Sequence, residues 1–153
     1  MTTVEEIVER GAGRDLPVVG SLAELTDLVM SHDSEIYLRY SKGPDSDARK
    51  GPSKDYEADV TLPGLSVTTI LPEPWWPRPA VDWVARRIRK YAELGRESGR
   101  FAWLLTGTVV GEGPDHEPLV VRARPLARLS DEMLDEAAEC YRTRFRVGND
   151  SRS

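Results

Sequence analysis

Apolar residues recur at helical spacing in three stretches of the chain. Residues 21–32 begin with a Ser21–Glu24 capping box and carry one apolar stripe. Residues 79–98 form the longest predicted helix, with Pro79 as its first residue. The third helix starts after Ser130 and runs to about residue 145. A short helix is also predicted over residues 2–10, with a linker completing residues 1–20.

Four other segments alternate apolar and polar residues, or are rich in β-forming residues, and predict strands. They cover residues 35–41, 65–70, 101–110 and 119–124. In the first strand, Ile36, Leu38 and Tyr40 share one face, while Tyr37 and Arg39 share the other. Helices that alternate with so few strands predict a single α+β domain over residues 1–153. Its small, largely antiparallel or mixed sheet would pack with three to four helices.

Three segments lack a clear period. Residues 42–59 are polar, contain two Gly-Pro pairs and predict a long loop, and residues 146–153 predict a flexible tail. Residues 72–79 read PEPWWPRP, and four prolines in eight residues predict an extended segment. Here Trp75 and Trp76 form either a plug over the sheet or, with Arg78, an exposed platform that binds a partner.

Composition narrows the classes of function. The chain has 153 residues, a net charge of −5 and a pI near 5.1, which argues against non-specific nucleic-acid binding. No apolar run approaches the ~20 residues of a membrane span, and the acidic start does not resemble a secretory leader. The single cysteine excludes an internal disulfide. We therefore expect a cytoplasmic protein without a membrane partner.

The basic residues leave one alternative open. Lysine and arginine total 21, only four of them lysines, and this bias resembles that of high-GC bacterial genes. Their densest cluster lies on the longest predicted helix and comprises Arg86, Arg87, Arg89 and Lys90. This cluster is either a solvated helix face or a local anion site.

Familiar catalytic and cofactor patterns are missing. The two histidines, His32 and His116, have no second ligand at helical or hairpin spacing, so no metal site is predicted. The glycine patterns that bind phosphates do not occur, so no cofactor is assigned on that ground. Cys140 lies on the core side of a helix and is interpreted as a packing residue.

One set of residues on three predicted strands is more specific. Arg39 is followed by Ser66-x-Thr68 and then by Asp115-x-Glu117. This order resembles the arginine–serine–glutamate class of ADP-ribosyltransferases, although Asp115 stands where that family has Glu or Gln. The resemblance implies NAD as the substrate, Arg39 on its phosphate or ribose, Ser66 and Thr68 at the nicotinamide end, and Glu117 as the catalytic carboxylate.

At the level of the whole chain there is a second resemblance. The segments LRYSKGP, LPGLSVTT, PEPWWPRP, DWVARRI and LSDEMLDEA are similar to those of a family of small uncharacterised proteins from high-GC bacteria. That family covers about residues 16–145 and implies a single domain without a known activity. Two hypotheses therefore stand: an NAD-dependent ADP-ribosyltransferase, or a non-catalytic module that binds a small molecule or protein through PEPWWPRP and residues 42–59.

Overall fold

The chain combines helices with a mostly antiparallel sheet, which confirms the predicted α+β fold class. The computed structural model describes Val8 and residues 16–94 and 99–145. The strands are β1 (Val18–Val19), β2 (Tyr37–Ser41), β3 (Lys54–Asp55), β4 (Val60–Thr61), β5 (Leu65–Ser66), β6 (Thr68–Thr69), β7 (Phe101–Glu112) and β8 (Pro118–Leu129). The helices are α1 (Leu22–Ser31), α2 (Pro44–Lys50), α3 (Ala80–Ile88), α4 (Lys90–Leu94) and α5 (Asp131–Arg144).

The long antiparallel hairpin of β7 and β8 forms the centre of a curled sheet. Strand β2 pairs with β7, and β6 pairs with β2, both antiparallel. Strand β1 lies parallel to one end of β8, whereas β5 is antiparallel to the other end. Only Val67 separates β5 from β6, so one short segment contacts both β8 and β2. The sheet is therefore mixed and curls closed at that end.

Both faces of this sheet are buried, in two separate apolar clusters. Ile36, Leu38 and Leu104 belong to the cluster that packs against the helices. Tyr37, Trp103 and Leu105 belong to a second cluster inside the curl of the sheet. The predicted alternation along residues 35–41 thus matches the two clusters. Since Arg39 lies beside Trp103 in the register of β2 and β7, its side chain starts on the inner side.

The capping signals read from the sequence are present. The Ser21 hydroxyl accepts a hydrogen bond from the Glu24 amide at 3.1 Å, and the Ser130 hydroxyl accepts one from the Met133 amide at 3.1 Å. Helix α3 packs against both α1 and α5. None of the helices that the structure describes is long and apolar enough to cross a membrane.

Four local predictions need correction. Residues 42–59 are not one loop, since they contain α2 and β3, and the linker predicted within residues 1–20 contains β1. The strand over 65–70 is two short strands, and the helix over 79–98 is interrupted at Arg89. The helix over 2–10 lies outside the described residues except for Val8, which forms a bridge with Ala123. The tail over 146–153 also lies outside them.

The proline segment is bent rather than extended. The Trp76 amide donates to the Glu73 carbonyl at 3.0 Å, which closes a β-turn with Pro74 at its second position. Trp75 is 66% exposed, whereas Trp76 is half-buried with its ring 5.0 Å from that of Trp83. The two neighbouring side chains therefore differ in exposure, and a turn rather than an extended backbone separates them.

Candidate functional site

A large cleft opens at the closed end of the sheet. We call it the first cleft, and its volume is about 950 Å³. On the sheet side it is lined by Arg39, by the β5–β6 segment and by residues 115–118 of the turn between β7 and β8. Helical residues from α3 to α5 line the opposite side. Its size falls within the range of ligand pockets in proteins.

The structure brings Arg39, Ser66 and Glu117 together along one side of this cleft. The Ser66 hydroxyl donates to Glu117 Oε2 at 2.7 Å. Arg39 Nη1 donates to the Ser66 carbonyl at 2.8 Å. Ser66 thus joins Arg39, which lies 27 positions before it, to Glu117, which lies 51 positions after it.

Glu117 is a fixed, ionised carboxylate. Its Oε1 accepts a hydrogen bond from the Asp115 amide at 2.9 Å. Burial would raise the pKa of Glu117, but hydrogen bonds from Ser66, from its own backbone and from the Asp115 amide, together with the nearby His116, lower it overall. A Cβ at Gly113 would overlap the Glu117 carboxylate, so the glycine leaves room for this conformation. The site therefore presents a negative charge to the first cleft at neutral pH.

Arg39 is occupied by a structural ion pair. Its Nε donates to Asp47 Oδ2 at 2.7 Å and its Nη2 donates to Asp47 Oδ1 at 3.3 Å. Asp47 is only 4% exposed and also accepts a hydrogen bond from the Ser41 hydroxyl at 2.7 Å. Asp47 was not among the residues predicted from the sequence, because residues 42–59 resembled a loop. With its charge compensated, Arg39 is better placed to hold Ser66 than to bind a phosphate.

Thr68 lines the first cleft but does not contact Glu117. Its hydroxyl lies 3.0 Å from the hydroxyl of Tyr91 on α4. This hydrogen bond connects the sheet side of the cleft to its helical side. The resemblance placed Ser66 and Thr68 at the same end of a ligand, and both do line the same cleft.

The basic cluster forms the helical side of the first cleft. Arg86, Arg87, Arg89 and Lys90 all line it. Arg87 donates to the Thr69 carbonyl at 2.8 Å, and the Arg89 guanidinium lies 4.0 Å from the centre of the Tyr141 ring. The Arg89 Nε has no hydrogen-bond partner among the described residues. Cations and the Glu117 carboxylate thus line the same cleft.

The three residues of the predicted partner platform have different environments. Arg78 pairs with the fully buried Asp82 at 3.3 Å and lies 4.2 Å from the Phe145 ring centre. Trp76 donates from Nε1 to the Pro79 carbonyl at 3.0 Å. Both therefore make contacts within the chain, and Trp75 presents most of the exposed aromatic surface.

Other reactive groups are sparse in the described residues. No group of three or more His, Cys, Asp or Glu side chains there is placed to hold a metal ion. Burial, with the charge of Asp82 nearby, raises the pKa of the Cys140 thiol. A thiol with a raised pKa is a weak nucleophile at neutral pH.

Comparisons with known proteins give the family but no activity. No curated protein matches the chain, and no solved structure matches it. A family model, described as a family of unknown function (DUF6098), matches residues 12–151. The match spans most of the 153 residues. The chain therefore belongs to the DUF6098 family.

Proposed function

We propose that the protein binds NAD in the first cleft and cleaves the bond between nicotinamide and ribose, either as an ADP-ribosyltransferase or as a hydrolase. The observation that carries this proposal is the hydrogen bond of 2.7 Å between Ser66 and Glu117 inside a cleft whose opposite side is basic. The pair fixes a carboxylate where a positively charged transition state can be stabilised.

The charges of the first cleft suit the two ends of such a substrate. Arg86, Arg89 and Lys90 offer cations to the pyrophosphate. Glu117 offers a hydrogen-bond acceptor to the ribose hydroxyls. In this assignment the phosphate-binding role that the resemblance gave to Arg39 passes to the basic cluster. Arg39 becomes a positioning residue that acts through Ser66.

The chemical step needs no group other than NAD and a nucleophile. The bond between ribose C1′ and the pyridinium nitrogen breaks, and its electron pair stays on the nitrogen, so neutral nicotinamide leaves. The positive charge that develops on the ribose faces the ionised carboxylate of Glu117. Water, or a nucleophile of an acceptor, bonds to C1′ and releases a proton. Since the cofactor is consumed, NAD is a substrate here.

A calorimetric titration with NAD, paired with chromatographic measurement of released nicotinamide, tests the proposal. The wild-type protein should bind NAD saturably and release nicotinamide. Glu117→Gln should keep most of the binding and lower the rate by at least about 100-fold, because it removes the stabilising charge. Lys90→Glu should instead weaken binding. Glu132→Gln, an exposed change on α5 that does not line the first cleft, is the matched control.

A second candidate function rests on Trp75. Its side chain is 66% exposed and its ring lies 5.7 Å from that of the buried Trp83. An exposed ring on a rigid base suits a non-catalytic module that binds a ring or a proline of a partner. The same titration separates the two functions: no heat and no nicotinamide at millimolar NAD overturns the enzyme proposal and favours the binding module. For either function we keep the cytoplasm as the proposed location.

A further inference from the structure

A second cavity lies next to the first cleft. Its volume is about 400 Å³. It shares Arg39 and Ser66 with the first cleft, but α2, residues 51–53 and the start of the β3–β4 hairpin supply most of its lining. Glu117 does not line this second cavity, so the cavity lies outside the reacting centre of the proposed NAD chemistry.

The lysines of the chain are concentrated at the two cavities. The chain has four lysines, at positions 42, 50, 54 and 90. Lys42, Lys50 and Lys54 line the second cavity, and Lys90 lines the first cleft. The other 17 basic residues of the chain are arginines, so lysine is used only where a side chain lines one of the two cavities. Lysine offers a compact, mobile charge with three donors, which suits a phosphate that several side chains share.

The charge of the second cavity is largely uncompensated. Asp47 neutralises Arg39. Lys54 pairs with the exposed Asp59 at 3.8 Å, and such a surface pair contributes little to stability in water. Lys42 and Lys50 make no ion pair with the residues that the structure describes. A concave site with an excess of one sign of charge concentrates counter-ions.

Two neutral residues add to the site. The Ser53 hydroxyl accepts a hydrogen bond from the Ser66 amide at 2.9 Å, which leaves its own proton to donate. Tyr56 is 83% exposed, and Lys54 Nζ lies 5.8 Å from its ring centre. The site thus pairs cations with an aromatic face.

We propose that the second cavity binds the phosphate group of a small molecule, with Lys42, Lys50 and Lys54 as its ligands. The phosphate belongs either to an inorganic anion or to a nucleotide whose base stacks on Tyr56. Its double negative charge matches the three ammonium groups better than a single carboxylate does.

Lysine methyl groups report on the two cavities separately. Reductive methylation with ¹³C-formaldehyde keeps the charge of each lysine and labels the N-terminal amine together with all four lysines, and single Lys→Arg variants assign the lysine signals. On titration with inorganic pyrophosphate at physiological salt, the signals of Lys42, Lys50 and Lys54 should shift together and saturate. Lys42→Glu with Lys50→Glu should weaken binding by at least about tenfold, because two attractive charges become repulsive. Arg49→Glu, at an exposed position of α2 that lines neither cavity, is the matched control and should change the affinity read from the Lys54 signal by less than about threefold.

Two results would overturn the proposal. One is a small, linear drift of all four signals, which indicates non-specific ion binding. The other is a shift confined to Lys90. A parallel titration with AMP and with inorganic phosphate distinguishes the sources of the phosphate, because only a stacked base lets AMP bind more tightly than inorganic phosphate and lose that advantage in Tyr56→Ala. Titration with NAD should shift the Lys90 signal at a lower concentration than the signals of the other three lysines. This proposal and the proposed function can therefore fail independently.

Discussion

Asp47 accepts three hydrogen bonds while it is almost fully buried. Two come from Arg39 and one from the Ser41 hydroxyl, which itself accepts a hydrogen bond from Trp103 Nε1 at 3.0 Å. Arg39 continues the connection to Ser66, whose hydroxyl reaches Glu117. A chain of polar contacts therefore runs from the fully buried Trp103 to the carboxylate in the first cleft.

Asp47→Asn should destabilise the protein strongly. The change removes the charge that pairs with Arg39 but leaves the guanidinium partly buried, with 21% of its side chain exposed. Breaking such a pair from one side costs about 3 kcal/mol. The free energy of unfolding, measured in urea, should fall by that amount. Asp45→Asn on the same helix, at an exposed position, is the control, and equal losses in the two variants would contradict the argument.

For individual residues, the sequence predicts which side chains line the site better than it predicts the contacts that those side chains make. Arg39, Ser66 and Glu117 could be grouped because each lies on or beside a segment with a clear strand pattern. Asp47 could not, because α2 buries a carboxylate rather than an apolar stripe, and hydrophobic periodicity does not detect an ion pair. The sequence therefore grouped these three residues without Asp47, the residue that pairs with Arg39.

Among the elements, the segment from β5 to β6 decides the shape of the site. It places Ser66 beside β8 and Thr68 beside β2, and the Val67 amide donates to the Pro118 carbonyl at 3.2 Å. Gly64 precedes it at a point of close backbone approach. A Cβ there would lie 2.8 Å from the Val120 carbonyl oxygen and 3.0 Å from the Val120 nitrogen. The glycine is what lets the two backbones meet.

Gly64→Ala should therefore open this end of the sheet. Because the obstructing atoms are backbone, they cannot swing aside as a side chain would, and we expect a loss of about 2 kcal/mol in the free energy of unfolding. Gly111→Ala is the matched control on β7, where an added Cβ meets nothing within 4 Å. It should change the same free energy by less than about 1 kcal/mol, in the stabilising direction. A Gly64→Ala variant as stable as wild type would show that β5 can move without cost.

The elements themselves were predictable to different degrees. Long segments with a sustained period, such as β7, α1 and α5, were located well. The two-residue strands β1, β5 and β6 were missed or merged, because pairing with distant strands defines them and two residues carry no period. The curl of the sheet depends on those short strands, so it could not be predicted from local pattern.

For the molecule as a whole, two carboxylates give opposite responses to pH. Burial raises the pKa of Glu35, with its hydrogen bond to Tyr37 opposing and the nearby Glu73 adding to the rise. The folded state therefore holds the proton of Glu35 more tightly than the unfolded state, and stability falls as pH rises from the ordinary value of 4.5 through the raised pKa. The pKa of Glu117 is lowered, so its contribution is present above 4.5 and is lost as pH falls through the lowered pKa.

Glu35→Gln and Glu117→Gln should consequently move stability in opposite directions at neutral pH. Glutamine keeps the shape of each side chain but cannot ionise. At pH 7, Glu35→Gln relieves the cost of a disfavoured charge and should raise the free energy of unfolding relative to wild type, whereas Glu117→Gln should lower it. Both charge differences should shrink when the pH is lowered to about 3, because the wild-type carboxyls bind more protons there than at pH 7. Urea unfolding of the three proteins at both pH values measures these changes. If the two variants shift in the same direction between the two pH values, the opposite environments assigned to Glu35 and Glu117 are wrong.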